Sequence, residues 1–70
     1  MQTVVHIGDR LRDLRVRRAL RQEDLAELAG VGKNTVNRIE RNTTEPHMTT
    51  IRKLARALEV DPAELVKETG

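Results

Sequence analysis

Apolar residues return every three or four positions along most of this chain, and each run is stopped after a few turns by a glycine, a proline or a polar cluster. Such spacing admits short amphipathic helices and little else. Ile7, Leu11 and Leu14 mark the first stripe, with Leu20 beyond its last turn, and predict a helix from about Ile7 to Ala19. Gln22 to Ala29 predicts a second, short helix. Leu25, Ala26, Leu28 and Ala29 are its apolar positions, and Glu23 and Asp24 fall in its first turn, where carboxylates favour the positive end of the helix dipole. Gly30 accepts a left-handed conformation cheaply, so a turn is expected there before the pattern restarts at Lys33 with Val36 and Ile39 and ends near Arg41. The stretch Asn42-Thr43-Thr44-Glu45-Pro46 predicts a loop, closed by a proline that disfavours helix at Glu45. Met48 to Glu59 resumes the spacing with Ile51, Leu54, Ala55 and Leu58 inward. Asp61-Pro62-Ala63-Glu64 combines a capping acid, a proline at the first helical position and a glutamate three residues after the cap, which predicts a last helix from Pro62 to Lys67. Residues 1–70 are therefore expected to form one compact, all-α, five-helix domain. Residues 1–6 precede it as a segment in which Val4 and Val5 belong either to a flexible tail or to an extended stretch pairing with its mate across a dimer.

Composition removes whole classes of function. The chain has no Cys, and its two histidines, His6 and His47, stand far apart, so neither a zinc site nor any other metal or cofactor is expected. Ser and Tyr are also absent, which leaves threonines and Lys33, Lys53 and Lys67 as conceivable nucleophiles, none beside a base in sequence; the chain does not read as an enzyme. Gly30-Val31-Gly32-Lys33 is not a phosphate-binding loop, because Glu27 stands where that motif needs glycine and Asn34 where it needs Ser or Thr. With no Phe, Trp or Tyr, the chain cannot stack unpaired bases on aromatic rings, so a nucleic-acid ligand would be a duplex. No apolar run approaches the roughly 20 residues that span a bilayer, and Met1 to His6 lacks the blocks of a signal peptide. A cytoplasmic protein without membrane contact is expected. A domain of 70 residues buries only about 60% of its unfolded surface, so a second copy would add useful stability.

The net charge of +2 is modest but unevenly spread: residues 1–21 and 33–58 are basic, whereas 22–32 and 59–70 are acidic. Solvated helix faces of mixed charge would produce the same pattern, so charge alone does not establish a nucleic-acid partner.

The most informative unit runs from Gln22 to Arg41. Two helices joined by about three residues cross steeply only if the crossing positions are small and the turn tolerates positive φ, needs that Ala26 and Gly30 meet. At about 100° per residue, with Val36 set at zero, Ile39 falls at about 300° and Glu40 at about 40°, which defines the buried side of the third helix. Asn37, Arg41, Asn34 and Arg38 occupy the arc from about 100° to about 200°. That face offers two carboxamides and two guanidiniums, with Lys33 on its N-terminal flank. These donor and acceptor forks match base edges in a major groove, Arg or Lys to guanine and Asn to adenine.

On these residues the chain resembles the phage-repressor (Cro-like) helix-turn-helix family of transcriptional regulators, whose DNA-binding domain has the lambda-repressor-like fold. The matching text is Ile7 to Arg15, Leu20-Arg21-Gln22-Glu23-Asp24-Leu25-Ala26, Ala29-Gly30-Val31, Val36 to Glu40, and Pro46 with Ile51, Leu54-Ala55 and Ala57-Leu58. The resemblance covers about Ile7 to Val66. It implies double-stranded DNA as the partner, Lys33, Asn34, Asn37 and Arg38 as base-reading residues, and Gln22, Arg21, Arg41, Asn42, Thr43, Thr44 and His47 as phosphate-binding residues. His47 reads equally as a plain surface histidine. The resemblance further implies that Glu40 pairs with Arg15 at the end of the first helix. Three positions depart from the family pattern: Arg21 and Gly32 stand where Ser or Thr usually caps, and Asn42 where glycine often follows the recognition helix.

Two functions are compatible with this reading. One is a repressor-like regulator that binds a near-palindromic operator as a homodimer. The other is an antitoxin or partner-binding adaptor on the same scaffold, which an extended apolar surface on the last two helices would favour. Val60, Leu65 and Val66 serve as core closure, as a dimer patch, or as both.

Overall fold

The computed structural model describes residues 7–66. They form five helices, α1 (Gly8–Arg17), α2 (Gln22–Ala29), α3 (Lys33–Glu40), α4 (Met48–Leu58) and α5 (Pro62–Leu65), with no strand among the described residues. The expected N-terminal segment and Lys67 lie outside the described residues, and the last helix, expected to reach about Lys67, ends at Leu65 with Val66 as its C-cap. Helix starts after α1 fall where the local signals put them. Asp61 caps α5 by accepting the Ala63 N–H at 2.8 Å, with Pro62 at the first helical position.

The first four helices end by one device. Ala19, Gly30, Asn42 and Glu59 have φ of 56°, 71°, 58° and 58°. The N–H after each returns to a carbonyl five residues back: Leu20 to Arg15, Val31 to Ala26, Thr43 to Arg38 and Val60 to Ala55, at 3.0 to 3.1 Å. This left-handed closure satisfies carbonyls that a helix end leaves unpaired. It explains why α1 stops at Arg17 rather than Ala19 and α4 at Leu58 rather than Glu59. Left-handed geometry costs an L-residue about 1–2 kcal/mol, and here the reversal folds Leu20, Val31 and Val60 back against the core.

The core consists of Ile7, Leu11, Leu25, Ala26, Ala29, Val36, Ile39, Ile51, Leu54, Ala55, Leu58 and Leu65. In it α2 packs on both α3 and α4, α1 on α3 and α5, and α4 on α5. Two expectations are corrected. Leu28, counted with the inward stripe of α2, is 62% exposed, because the buried arc of that helix is filled by Leu25, Ala26 and Ala29 and Leu28 lies beyond its edge. Leu65, grouped with a self-association patch, is only 1% exposed and closes the core, whereas Val60 and Val66 are half-buried beside it.

Candidate nucleic-acid interface

Gly30 holds the turn between α2 and α3 with a left-handed conformation, and its N–H and that of Val31 close α2. α3 then buries Val36, Ile39 and Glu40 and turns its other side outward. Lys33, Asn34, Arg38 and Arg41 are exposed and Asn37 is half-buried. Among the described residues no acidic side chain pairs with Lys33, Arg38 or Arg41, so their charges are available to an outside ligand.

Behind this face lies an ion pair. The Arg15 guanidinium donates from Nε to Glu40 Oε2 at 2.6 Å and from Nη2 to Glu40 Oε1 at 3.0 Å. Its Nη1 donates to the Leu20 carbonyl at 2.8 Å. The side chains are 14% and 2% exposed, so both charges are largely removed from water and each depends on the other. The hydrogen bond from Arg15 to Glu40 raises the Arg15 pKa further above its ordinary value and keeps the guanidinium charged. Two-point geometry of this kind fixes orientation as well as distance. It therefore ties the end of α1 to the end of α3.

Gln22, the first residue of α2, joins the same cluster. Its Nε2 donates to Glu40 Oε1 at 3.1 Å, and its Oε1 accepts from Asn37 Nδ2 at 3.3 Å. Gln22, expected to anchor a phosphate, has its Oε1 and one Nε2 hydrogen engaged within the protein; its second Nε2 hydrogen and the unpaired backbone N–H groups of the α2 N-terminus are left for an anion. Nothing in the spacing of Gln22 and Asn37 signals their contact, because it depends on how steeply α2 and α3 cross.

The other expected phosphate ligands divide in the same way. Arg21 is exposed, but its guanidinium already contacts Asp24 at 3.1 Å and Glu23 at 2.9 Å. The Arg21 backbone N–H donates to Asp24 Oδ2 at 2.9 Å, so the acid at the third helical position supports a helix start whose capping residue has no acceptor of its own. These bonds raise the Arg21 pKa and hold the Asp24 carboxyl below its ordinary range. Asn42 Oδ1 accepts the Gly8 N–H at 3.1 Å, and Thr43 Oγ1 donates to the Arg38 carbonyl at 3.1 Å, so both side chains secure helix ends. Thr44 and His47 are exposed, His47 as the N-cap residue of α4. The described residues contain no His, Cys, Asp or Glu group able to hold a metal ion and no helix long and apolar enough to cross a membrane.

Two packed helices with a left-handed glycine at their turn and an amide-and-arginine face over a buried ion pair define a helix-turn-helix domain. A family model described as helix-turn-helix matches residues 11–65, and the chain belongs to that family. It is 47% identical over 62 residues to the cryptic phage CTXphi transcriptional repressor RstR of Vibrio cholerae, and this match takes in 89% of the chain but 56% of that repressor. Among solved structures it is similar to the restriction-modification controller protein C.AhdI from Aeromonas hydrophila, with 43% identity, a TM-score of 0.84, and 87% and 92% of the two chains covered. It is also similar to SinR, the Bacillus subtilis master regulator for biofilm formation, in complex with DNA, with 34% identity, a TM-score of 0.83, and 87% and 98% covered. The fold is that of lambda-repressor-like domains.

Proposed function

We propose that this chain is a sequence-specific, duplex-DNA-binding transcriptional regulator, repressor-like in action, which works in the cytoplasm by binding rather than by catalysis. The observation that carries the reading is the outward face of α3: Lys33, Asn34, Asn37 and Arg38 offer hydrogen-bonding groups on a helix whose opposite side is locked to α1 and α2. In a major groove these four would meet base edges. Arg41, Thr44, His47 and the N–H groups opening α2 would meet phosphates. Arg21 would do so by exchanging its contacts with Glu23 and Asp24 for a phosphate, Thr43 by exchanging its hydroxyl bond to the Arg38 carbonyl, and Asn42 through the Nδ2 donors that its capping bond leaves unused. SinR in complex with DNA and the repressor RstR support the same ligand and the same outcome.

A single short helix discriminates only a few base pairs, and two copies about one helical turn apart double the information. The reading therefore includes a homodimer on a near-palindromic operator, with Val60 and Val66 at the apolar end of the described chain as its contact candidates. The adaptor alternative calls for an extended apolar surface on the last two helices. The exposed large apolar residues among those described are Val16, Leu28 and Met48, on three different helices, and no extended apolar surface joins α4 to α5. Selection of sites from random duplex DNA, followed by sedimentation on the selected site, tests the proposal. A motif with two-fold symmetry carrying two chains is expected; one chain per site or an asymmetric motif overturns the dimer, and the absence of any motif overturns sequence-specific binding.

A further inference from the structure

The hydrogen bonds behind α3 have a direction. The Glu40 carboxylate, held by Arg15, can only accept. Gln22 must therefore turn Nε2 towards Glu40 Oε1, which leaves Gln22 Oε1 on the far side of its carboxamide. That oxygen too can only accept, so Asn37 turns Nδ2 inward to meet it. One N–H of Asn37 is thereby consumed, and Oδ1 with the remaining N–H is what the half-buried side chain retains for a ligand. Reversing either carboxamide would bring like dipoles face to face beside a buried charge and strand a polar atom without a partner.

We propose that Glu40, acting through Gln22, sets which way round Asn37 presents its carboxamide and so decides which base Asn37 accepts. The inference rests on the reading of α3 as the base-reading helix. Asn37 is the group that touches the base; Glu40 and Gln22 are positioning residues. An oxygen with one N–H beside it matches adenine, which offers its N6 amine next to the N7 acceptor. The reversed carboxamide would present two N–H donors and match the paired N7 and O6 acceptors of guanine instead. The relay starts at a carboxylate that is 2% exposed and fixed at both oxygens, so its polarity does not depend on solvent.

Sites selected from random duplex DNA by the wild type, Gln22→Met and Asn37→Ala test this. Methionine matches glutamine in length and packing but can neither bond Glu40 nor orient Asn37. The wild type is expected to prefer adenine at one position of each half-site by about 5- to 150-fold. Gln22→Met and Asn37→Ala are both expected to lose that preference at that position and to keep the rest of the motif. A Gln22→Met motif identical to the wild type, or no adenine preference in the Asn37 column, overturns the relay and leaves DNA reading intact. A wild type that selects no motif overturns both. Should Gln22→Met fail to fold, the Asn37 side-chain amide of the free wild-type protein decides by NMR: one hydrogen protected from exchange is expected, and two hydrogens exchanging equally fast overturn the relay.

Discussion

The backbone N–H of Gly8 donates to the side-chain oxygen of Asn42 at 3.1 Å, so the residue that ends α3 also caps the start of α1. The two helix ends are in close contact. A Cβ at Gly8 would stand 2.5 Å from the Ile39 carbonyl oxygen, 2.6 Å from Asn42 Oδ1 and 2.6 Å from the Glu40 carbonyl oxygen. Together with the Arg15–Glu40 pair, this contact makes the position of α3 a property of α1.

Gly8→Ala is accordingly expected to destabilise the domain by about 1–3 kcal/mol, because two of the three atoms it meets are backbone and cannot swing aside. In a domain of this size that lowers Tm by several degrees, on a scale of about 4–8 °C per kcal/mol. Thermal denaturation followed by circular dichroism checks it; an unchanged Tm would show that the α1–α3 contact opens freely.

Removing one member of the ion pair strands the other in a mostly dry site. Glu40→Gln is expected to cost about 3–5 kcal/mol, close to the whole stability of so small a domain. Replacing both partners, Arg15→Met with Glu40→Met, removes the stranded charge and is expected to recover part of that loss. Urea denaturation of Arg15→Met, Glu40→Met and the double variant closes the cycle. Additive losses would mean that the two charges do not depend on each other.

Arg38 and Arg41 are expected to fail differently. Arg38→Ala should weaken binding to the selected operator by about 1–3 kcal/mol with little change on unrelated duplex, the signature of a base contact. Arg41→Ala should weaken binding to both alike and reduce the slope of log K against log salt by about 1, as loss of a phosphate contact does. Fluorescence anisotropy over a salt series on the two duplexes measures both quantities, and equal losses for Arg38→Ala on both would remove it from the base-reading set.

Asp24 makes stability depend on acid. Its hydrogen bonds from Arg21 hold its carboxyl below the ordinary value of about 3.9 in the folded state, so folding binds fewer protons than the unfolded chain does. The stability it contributes is complete above about pH 4 and fades as pH falls through the lowered pKa. Asp24→Ala should therefore lower Tm at neutral pH, and its difference from wild type should narrow below about pH 4. A difference independent of pH would assign the effect to something other than this carboxylate.

Local chemistry made much of this protein readable. Gly30, Pro46 and the Asp61-Pro62 step punctuate the chain, and the start of every helix from α2 to α5 follows from them and from the three-and-four spacing. The two-sidedness of α3 is also local, since 3.6 residues per turn place Val36, Ile39 and Glu40 opposite Asn34 and Arg38 whatever surrounds them. Periodicity names the side of a helix that turns inward, but the width of the buried arc depends on where neighbouring helices land. Tertiary packing alone therefore decided that Leu28 is left outside while Leu65 is taken in. It also decided that Ala19 and Glu59 bear left-handed strain, because the return of Leu20 and Val60 to the core offsets it. Gln22 and Asn42 read as DNA ligands in isolation because a carboxamide near a helix end suits a phosphate. Only the crossing of α2 over α3 and the approach of α1 to α3 give those carboxamides partners inside the protein, since a hydrogen bond depends on distance and direction between atoms that sequence spacing does not specify.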